Sequence, residues 1–507
     1  MSLTLNQDTP STADVQRKTQ DRFGVRPCLW QVKVAQALLQ GDKDMLCTAG
    51  TGMGQTLCFW IPLLFRIDGI QLVITPLNLL GKQNADSLGI AGIPAIAINA
   101  ETATTTNFLA IKAFKYRAIA VSPEQIMKPN GKFEQLLKNL LFTSHIVSIV
   151  VDEAHCITEW GEFRPEYKEL GRLRYILPST IPIMITSATL TQGSLTNAMR
   201  LLHMHADKMS VIRRSSDRAN IKIGVRKIKY SLTSYADLAF LILPGWNVGD
   251  APPPKFMIFF DNIQDAINAT RYLRSQLPPA MRHKIKWFNS DMTSKYKESE
   301  LTNLISGDCW GFCTMDSFGM GMDVPDIQLV LQWRATCKLS VLWQRFGRAV
   351  RDRNLQGTAI LFAEKDFFDD ECDAKAARKK ACEQALNRKR KGDHPPNPMP
   401  KRHAMANTSN PRMPSQLPVV PVRERVDDGS DMSGDDEDET RIENAGLDDL
   451  RYKAAGEIQT QKQSKAKRNL DFGMDYLINA EKRAGLNCRR KVFNVCFDNN
   501  DIVGEKI

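Results

Sequence analysis

From about Phe23 to Ala363 the chain alternates short apolar runs with longer amphipathic segments. The runs are Met45–Thr48, Gln71–Thr75, Ala118–Val121, Val147–Val151, Ile183–Thr186, Lys255–Phe260, Gly311–Thr314, Ile327–Gln332 and Thr358–Phe362. Short continuous apolar runs bounded by polar segments read as strands buried on both faces. Strands separated by helix-length segments predict βαβ units, hence parallel sheets covered on both sides by helices. Nine or more strands suit two doubly wound α/β domains better than one. The polar segment Arg213–Asn220 lies between apolar blocks and is the expected boundary.

The pattern changes after Asp366. The segment Lys365–Lys391 is charged and expected to be partly helical, whereas Pro395–Glu443 is rich in Pro, Ser, Asn and acids and is expected to be disordered. The expected organisation is a disordered tail over 1–20, α/β domains over 21–215 and 216–366, a charged linker over 367–446, and a helical segment over 447–507. Composition adds little to the fold but narrows the partner. A net charge of +11 favours an acidic partner, most commonly nucleic acid. No apolar run is long enough to span a bilayer, and the first twenty residues lack a signal-peptide core. Eleven cysteines, scattered through apolar strands, read as the reduced thiols of an intracellular protein.

Two places carry candidate chemistry. The run Ile146–Val151 ends in Asp152-Glu153-Ala154-His155. A buried parallel strand delivers such acids to the carboxyl edge of the sheet, where open α/β sheets bind ligands. There Asp152 can hold Mg²⁺ on nucleotide phosphates and Glu153 can orient an attacking water. The second place is Ala49-Gly50-Thr51-Gly52-Met53-Gly54-Gln55-Thr56, between a strand and an apolar helix. Gly52 and Gly54 let backbone amides approach phosphate oxygens, and Thr56 can place a hydroxyl on Mg²⁺. The lysine of the strict phosphate-loop motif is Gln55 here, so this loop taken alone is better read as a glycine-rich turn without a ligand.

Taken in order, these motifs resemble the RecQ-like branch of superfamily 2 (DEAH-box) helicases, fungal-type members in particular. The resemblance covers roughly Phe23–Phe362. It rests on Phe23-Gly24 with Gln31, the glycine loop, Thr75-Pro76-Leu77, Ser122-Pro123-Glu124, Asp152-Glu153-Ala154-His155, Ser187-Ala188-Thr189, Phe318-Gly319-Met320-Gly321-Met322-Asp323 and Gln344-Arg345-Phe346-Gly347-Arg348-Ala349-Val350-Arg351-Asp352. It implies tandem RecA-like domains, ATP and Mg²⁺ as cofactors, and 3′-to-5′ unwinding of DNA. It makes Gln31 an adenine reader and Asp323 a ribose or cleft contact. Arg351 becomes the arginine finger, Arg348 a second phosphate contact, and Gln344 part of the same motif. His155, Ser187 and Thr189 link nucleotide state to DNA, and Thr75-Pro76 lies along the strand. The stretch Trp160-Gly161-Glu162-Phe163-Arg164-Pro165-Glu166-Tyr167 resembles the family's aromatic loop; Trp160, Phe163, Arg164 and Tyr167 would stack on single-stranded bases, the alternative being that Trp160 and Phe163 are core.

Four departures stand against the family pattern. Gln55 removes a cation from the developing phosphate charge, and losing one preorganised electrostatic contact costs about 2.7–4 kcal/mol. Cys28 occupies the place of an adenine-stacking arginine. Val350 replaces a glycine. Cys488-Arg489-Arg490 resembles the start of a zinc module, but only Cys496 follows, so no complete four-ligand zinc site is expected. The basic run Arg388-Lys389-Arg390-Lys391 fits either a nuclear localisation signal or a DNA-backbone contact. The expected partner is single-stranded or partly duplex DNA, with the chain monomeric, nuclear and off the membrane. The rival reading is a nucleic-acid-binding protein that binds ATP weakly and hydrolyses almost none. An RNA helicase is disfavoured by the aromatic loop.

Overall fold

The computed structural model describes residues 9–162, 164–289, 292–315, 324–352, 354–390, 447, 449–451, 453 and 470–499. Seven strands form the first sheet: β1 (Asp44–Thr48), β2 (Ile70–Ile74), β3 (Ala95–Ile98), β4 (Ala118–Val121), β5 (Ile146–Val151), β6 (Ile183–Ser187) and β7 (Met209–Arg213). Their order is β3-β4-β2-β5-β6-β1-β7, all parallel. Six strands form the second: β8 (Ile221–Lys227), β9 (Phe256–Phe259), β10 (Ile285–Phe288), β11 (Gly311–Thr314), β12 (Leu329–Trp333) and β13 (Gly357–Ala363). Their order is β10-β11-β9-β12-β13-β8, again all parallel. The first sheet ends at Arg213 and the second begins at Ile221, with the polar segment between them.

The interior strands are apolar because helices cover both sheet faces. Strands β2, β4, β5 and β6 are buried at every position, as are β9 and β11. Burying each large aliphatic side chain stabilises the fold by about 1.5–3 kcal/mol. The carboxyl ends of β1, β5 and β6 carry the glycine loop, the acid pair and the Ser187-Ala188-Thr189 turn, so sheet order alone brings these three together.

Two expectations need correction or extension. The first twenty residues are not wholly a disordered tail, since Thr12–Phe23 is a helix. Ser11 caps it by accepting from the Asp14 amide, and Val15 packs with Val32, Ala35 and Ile61. At the other end, helices Phe472–Asn479 and Arg489–Cys496 join the core of the second domain. Phe493 stacks on Trp343 at 4.3 Å between ring centroids and is fully buried. Cys496 is likewise in this core, whereas Cys488 is exposed, and no metal-binding cluster of His, Cys, Asp or Glu occurs among the described residues. The helix Asp369–Arg390 is largely exposed. The acidic stretch of the linker lies outside the described residues. All eleven cysteines are free thiols, and no described helix is long and apolar enough to cross a membrane.

Truncating Phe493 removes the aromatic that ties the C-terminal helices to the second domain. Phe493→Ala is expected to cost about 3–5 kcal/mol, read by urea denaturation, with faster trypsin cleavage between residues 470 and 499. Wild-type denaturation and cleavage would show that these helices do not dock.

Candidate functional site

The glycine loop sits between β1 and the helix Gln55–Trp60. Gly52 and Gly54 have φ of 80° and 77°, a left-handed conformation that glycine adopts without strain. Gln31, on the helix Leu29–Gln40, clips the loop in place. Its Oε1 accepts from the Cys28 amide at 2.7 Å, and its Nε2 donates to the Gly54 carbonyl at 2.9 Å. A Cβ on Gly54 would come within 2.8 Å of that nitrogen, so a side chain there would displace the Gln31 amide from the loop. Gln55 donates from Nε2 to the Ser187 carbonyl at 3.0 Å. The loop is thereby tied to the Ser187–Thr189 turn by a neutral amide, where the motif expects an ammonium. Thr56 is half-buried in the first turn of the helix.

β5 places Asp152 and Glu153 at its carboxyl end. The Asp152 amide donates to Ile74 and the Ala154 amide to Thr186, at 2.9 Å each, so the turn stays in register with β2 and β6. Glu153 takes φ of 51°, unusual for a residue with a side chain and a mark of a constrained site. Asp152 accepts from the Glu153 amide at 2.9 Å. Burial, then the neighbouring Glu153 charge, push the Asp152 carboxyl up to about 7. Burial would also raise Glu153, but His155, Arg348 and Arg351 outweigh it and hold that carboxyl below its ordinary value. The two adjacent acids are thus pushed in opposite directions, Asp152 up and Glu153 down, which separates their roles. Glu153 Oε2 lies 3.3 Å from His155 Nδ1 but accepts no hydrogen bond. A divalent cation at Asp152 and a water at Glu153 would answer both conditions. The residues therefore fit a Mg²⁺-bound nucleotide, with Thr56 and Asp152 as the metal side.

A buried polar network joins the two domains. His155 Nδ1 lies 3.0 Å from Ser187 Oγ. Gln344, from helix Leu339–Phe346 of the second domain, reaches His155 Nε2 at 2.9 Å and Thr189 Oγ1 at 2.9 Å. All four side chains are buried. Burial disfavours the charged imidazole; the Cys156 sulfur and the Glu153 and Glu159 carboxylates favour it and prevail, leaving His155 well above a free imidazole. Ser340 donates to Glu159 beside the network. Arg348 and Arg351 both act electrostatically on Glu153, which puts second-domain arginines across the cleft from the first domain's acid. Val350, between them, takes φ of 34°; a β-branched residue is strained there, where glycine would not be.

The aromatic loop is organised differently from expectation. Tyr167 is 1% exposed, inside the first domain's core, so it offers no face to a base. Arg164 pairs bidentately with Glu124 at 2.6 and 2.9 Å and donates to the Pro76 carbonyl at 2.6 Å. Its guanidinium also lies over the Trp160 and Tyr167 rings. Arg164 is therefore a clamp joining three segments, and Trp160 is the half-exposed aromatic among the described residues of the loop. Thr75 is buried and bonded to Leu77 O, with Pro76 buried beside it. Phe163 and Asp323 lie outside the described residues. Sequence reasoning missed Arg218 altogether; its one clue was an arginine inside the polar interdomain segment.

The raised Asp152 carboxyl has a measurable consequence. In the fold this group stays protonated to about pH 7, whereas in the unfolded chain it ionises near 4, so its burial destabilises the fold increasingly as pH rises through that window. In metal-free buffer Asp152→Asn is expected to be more stable than wild type near pH 8, by on the order of 2 kcal/mol more than near pH 5. Chemical denaturation at both pH values checks this; a pH-independent difference would contradict it.

Two family models match the chain: DEAD/DEAH box helicase over residues 29–197 and helicase conserved C-terminal domain over 241–353. The chain is 27% identical over 343 residues to a probable ATP-dependent DNA helicase RecS of Bacillus subtilis, covering 66% of this chain and 64% of that protein. It is 29% identical over 341 residues to the ATP-dependent DNA helicase RecQ of Haemophilus influenzae, covering 66% and 50% respectively. It therefore spans about half to two thirds of the length of these relatives. Its fold matches that of the DUF1998 helicase MrfA bound to DNA, with a TM-score of 0.55 at 16% identity over 70% of this chain and 51% of that one. The two parallel sheets are tandem RecA-like domains, and the chain belongs to the RecQ-like branch of the superfamily 2 helicases.

Proposed function

We propose that the chain is an ATP-dependent DNA helicase of 3′-to-5′ direction whose hydrolysis is slowed by Gln55. The observation that carries this reading is the buried bridge from Gln344 to His155 and Thr189. A cleft shared by two domains in this way converts a change at the acid pair into a change in domain spacing. When bound, Mg²⁺-ATP supplies the phosphoanhydride whose cleavage drives the cycle. Glu153, held ionised, accepts a proton from the attacking water. Arg351 and Arg348 offset charge that develops on the phosphate. His155 and Gln344 pass the opening and closing of the cleft to the helix Leu339–Phe346. Arg164 holds the segments at Pro76 and Glu124 rigid where a single strand would lie, and Trp160 offers the stacking surface. The names of the RecS and RecQ relatives support DNA as the substrate. A monomer, a nuclear location and the fungal-type subdivision are part of the same proposal.

One observation favours the second reading, a nucleic-acid-binding protein with negligible turnover. Gln55 is engaged by Ser187 and carries no charge, so nothing at that position offsets the phosphate charge as the lysine would. Single-strand-stimulated ATPase activity separates the two. Wild type is expected to turn over measurably, Gln55→Lys about 10²–10³ faster, and Glu153→Gln at background. A silent wild type rescued by Gln55→Lys would establish the second reading. Silence of wild type and Gln55→Lys alike would remove the helicase proposal.

A further inference from the structure

The segment between the two sheets is gripped from both sides. Toward the cleft, the Arg218 guanidinium donates to Thr51 O of the glycine loop at 3.3 Å. It also donates to Gly347 O at 3.3 Å, Ala349 O at 3.2 Å and Val350 O at 2.8 Å, in the turn that carries Arg348 and Arg351. One buried cation thus gathers carbonyls from both domains, a task suited to a planar fork of donors and not to a single ammonium. It anchors the glycine loop at Thr51 while Gln31 anchors it at Gly54, and with Asn220 it holds the strained Val350 turn. Ser216 Cα would lie 3.2 Å from a Cβ on Gly50, so the segment packs directly on the loop.

From the opposite side, Arg490 of helix Arg489–Cys496 donates to the Asp217 carboxylate, to Arg218 O at 2.9 Å and to Ile221 O at 2.5 Å. Asn499 accepts from the Ser216 amide at 2.9 Å, and Arg213 pairs with Asp498. The C-terminal helix therefore reaches the glycine loop through one intervening segment.

We propose that Arg218 is a positioning residue for the nucleotide loop and the arginine turn, and that Arg490 sets Arg218, so that the C-terminal helix tunes nucleotide affinity. The inference rests on the nucleotide-binding reading of the loop. Its test titrates the whole chain with a fluorescent ATP analogue and Mg²⁺, and separately with a single-stranded oligonucleotide without nucleotide. Arg218→Ala is expected to weaken nucleotide binding about tenfold, and Arg218→Lys to recover little of it. Arg490→Ala is expected to weaken it at least about threefold without touching the loop, and the double variant to be no worse than Arg218→Ala alone. Oligonucleotide affinity is expected to stay within about twofold throughout. Asp217→Asn, nearly isosteric, repeats the Arg490 arm without emptying a buried site. Wild-type nucleotide affinity in Arg490→Ala and Asp217→Asn, losses that multiply in the double variant, or an equal loss of oligonucleotide binding would each overturn the inference. A wild type that binds no nucleotide would instead remove the nucleotide reading, and this inference with it.

Discussion

The closed arrangement of the two domains depends on a few hydrogen bonds made where water cannot substitute for them. Gln344 meets His155 and Thr189 in a fully buried setting. A buried polar group left without its partner costs about 1–3 kcal/mol, more if charged, so the domains cannot part slightly without stranding several groups at once. They either stay together or separate far enough for water to enter. That is the bistable behaviour a motor needs, and it follows from burial and not from any property of the sheets.

The same network gives Gln55 a meaning beyond a missing charge. Its amide is bonded to Ser187, whose hydroxyl contacts His155, whose ring contacts Gln344. The glycine loop therefore retains a mechanical connection to the second domain although it has lost an electrostatic one. In the proposed enzyme, phosphate charge would be left to the backbone amides, a bound Mg²⁺ and the two arginines across the cleft. Binding is affected less than the chemical step by such a change, because only the latter builds up charge.

Much of the fold was legible because parallel interior strands are apolar on both faces. The nine runs read from the sequence all fall on strands of the two sheets. The four strands that went unread, β3, β7, β8 and β10, are the four sheet edges. Each is only partly buried; β7, β8 and β10 mix polar with apolar positions and so show no continuous run, whereas β3 is the short apolar run Ala95–Ile98. The acid pair and glycine loop were legible because their chemistry depends on local spacing. Tyr167 and Arg164 were misjudged for the opposite reason. An aromatic beside an arginine has the same local pattern whether it faces solvent or core, and only the partners Glu124 and Pro76, forty or more residues away, decide it. Arg218 was invisible on the same ground, since its four carbonyl partners come from two distant turns.

The central claim, that Gln344 joins the domains through His155 and Thr189, is tested most directly by amide hydrogen exchange on wild type and Gln344→Ala. The account predicts that exchange accelerates together at Ser187–Thr189 in the first domain and at Leu339–Val350 in the second, with the interior strand β4 unchanged. Acceleration confined to Leu339–Val350, with Ser187–Thr189 as protected as in wild type, would contradict it.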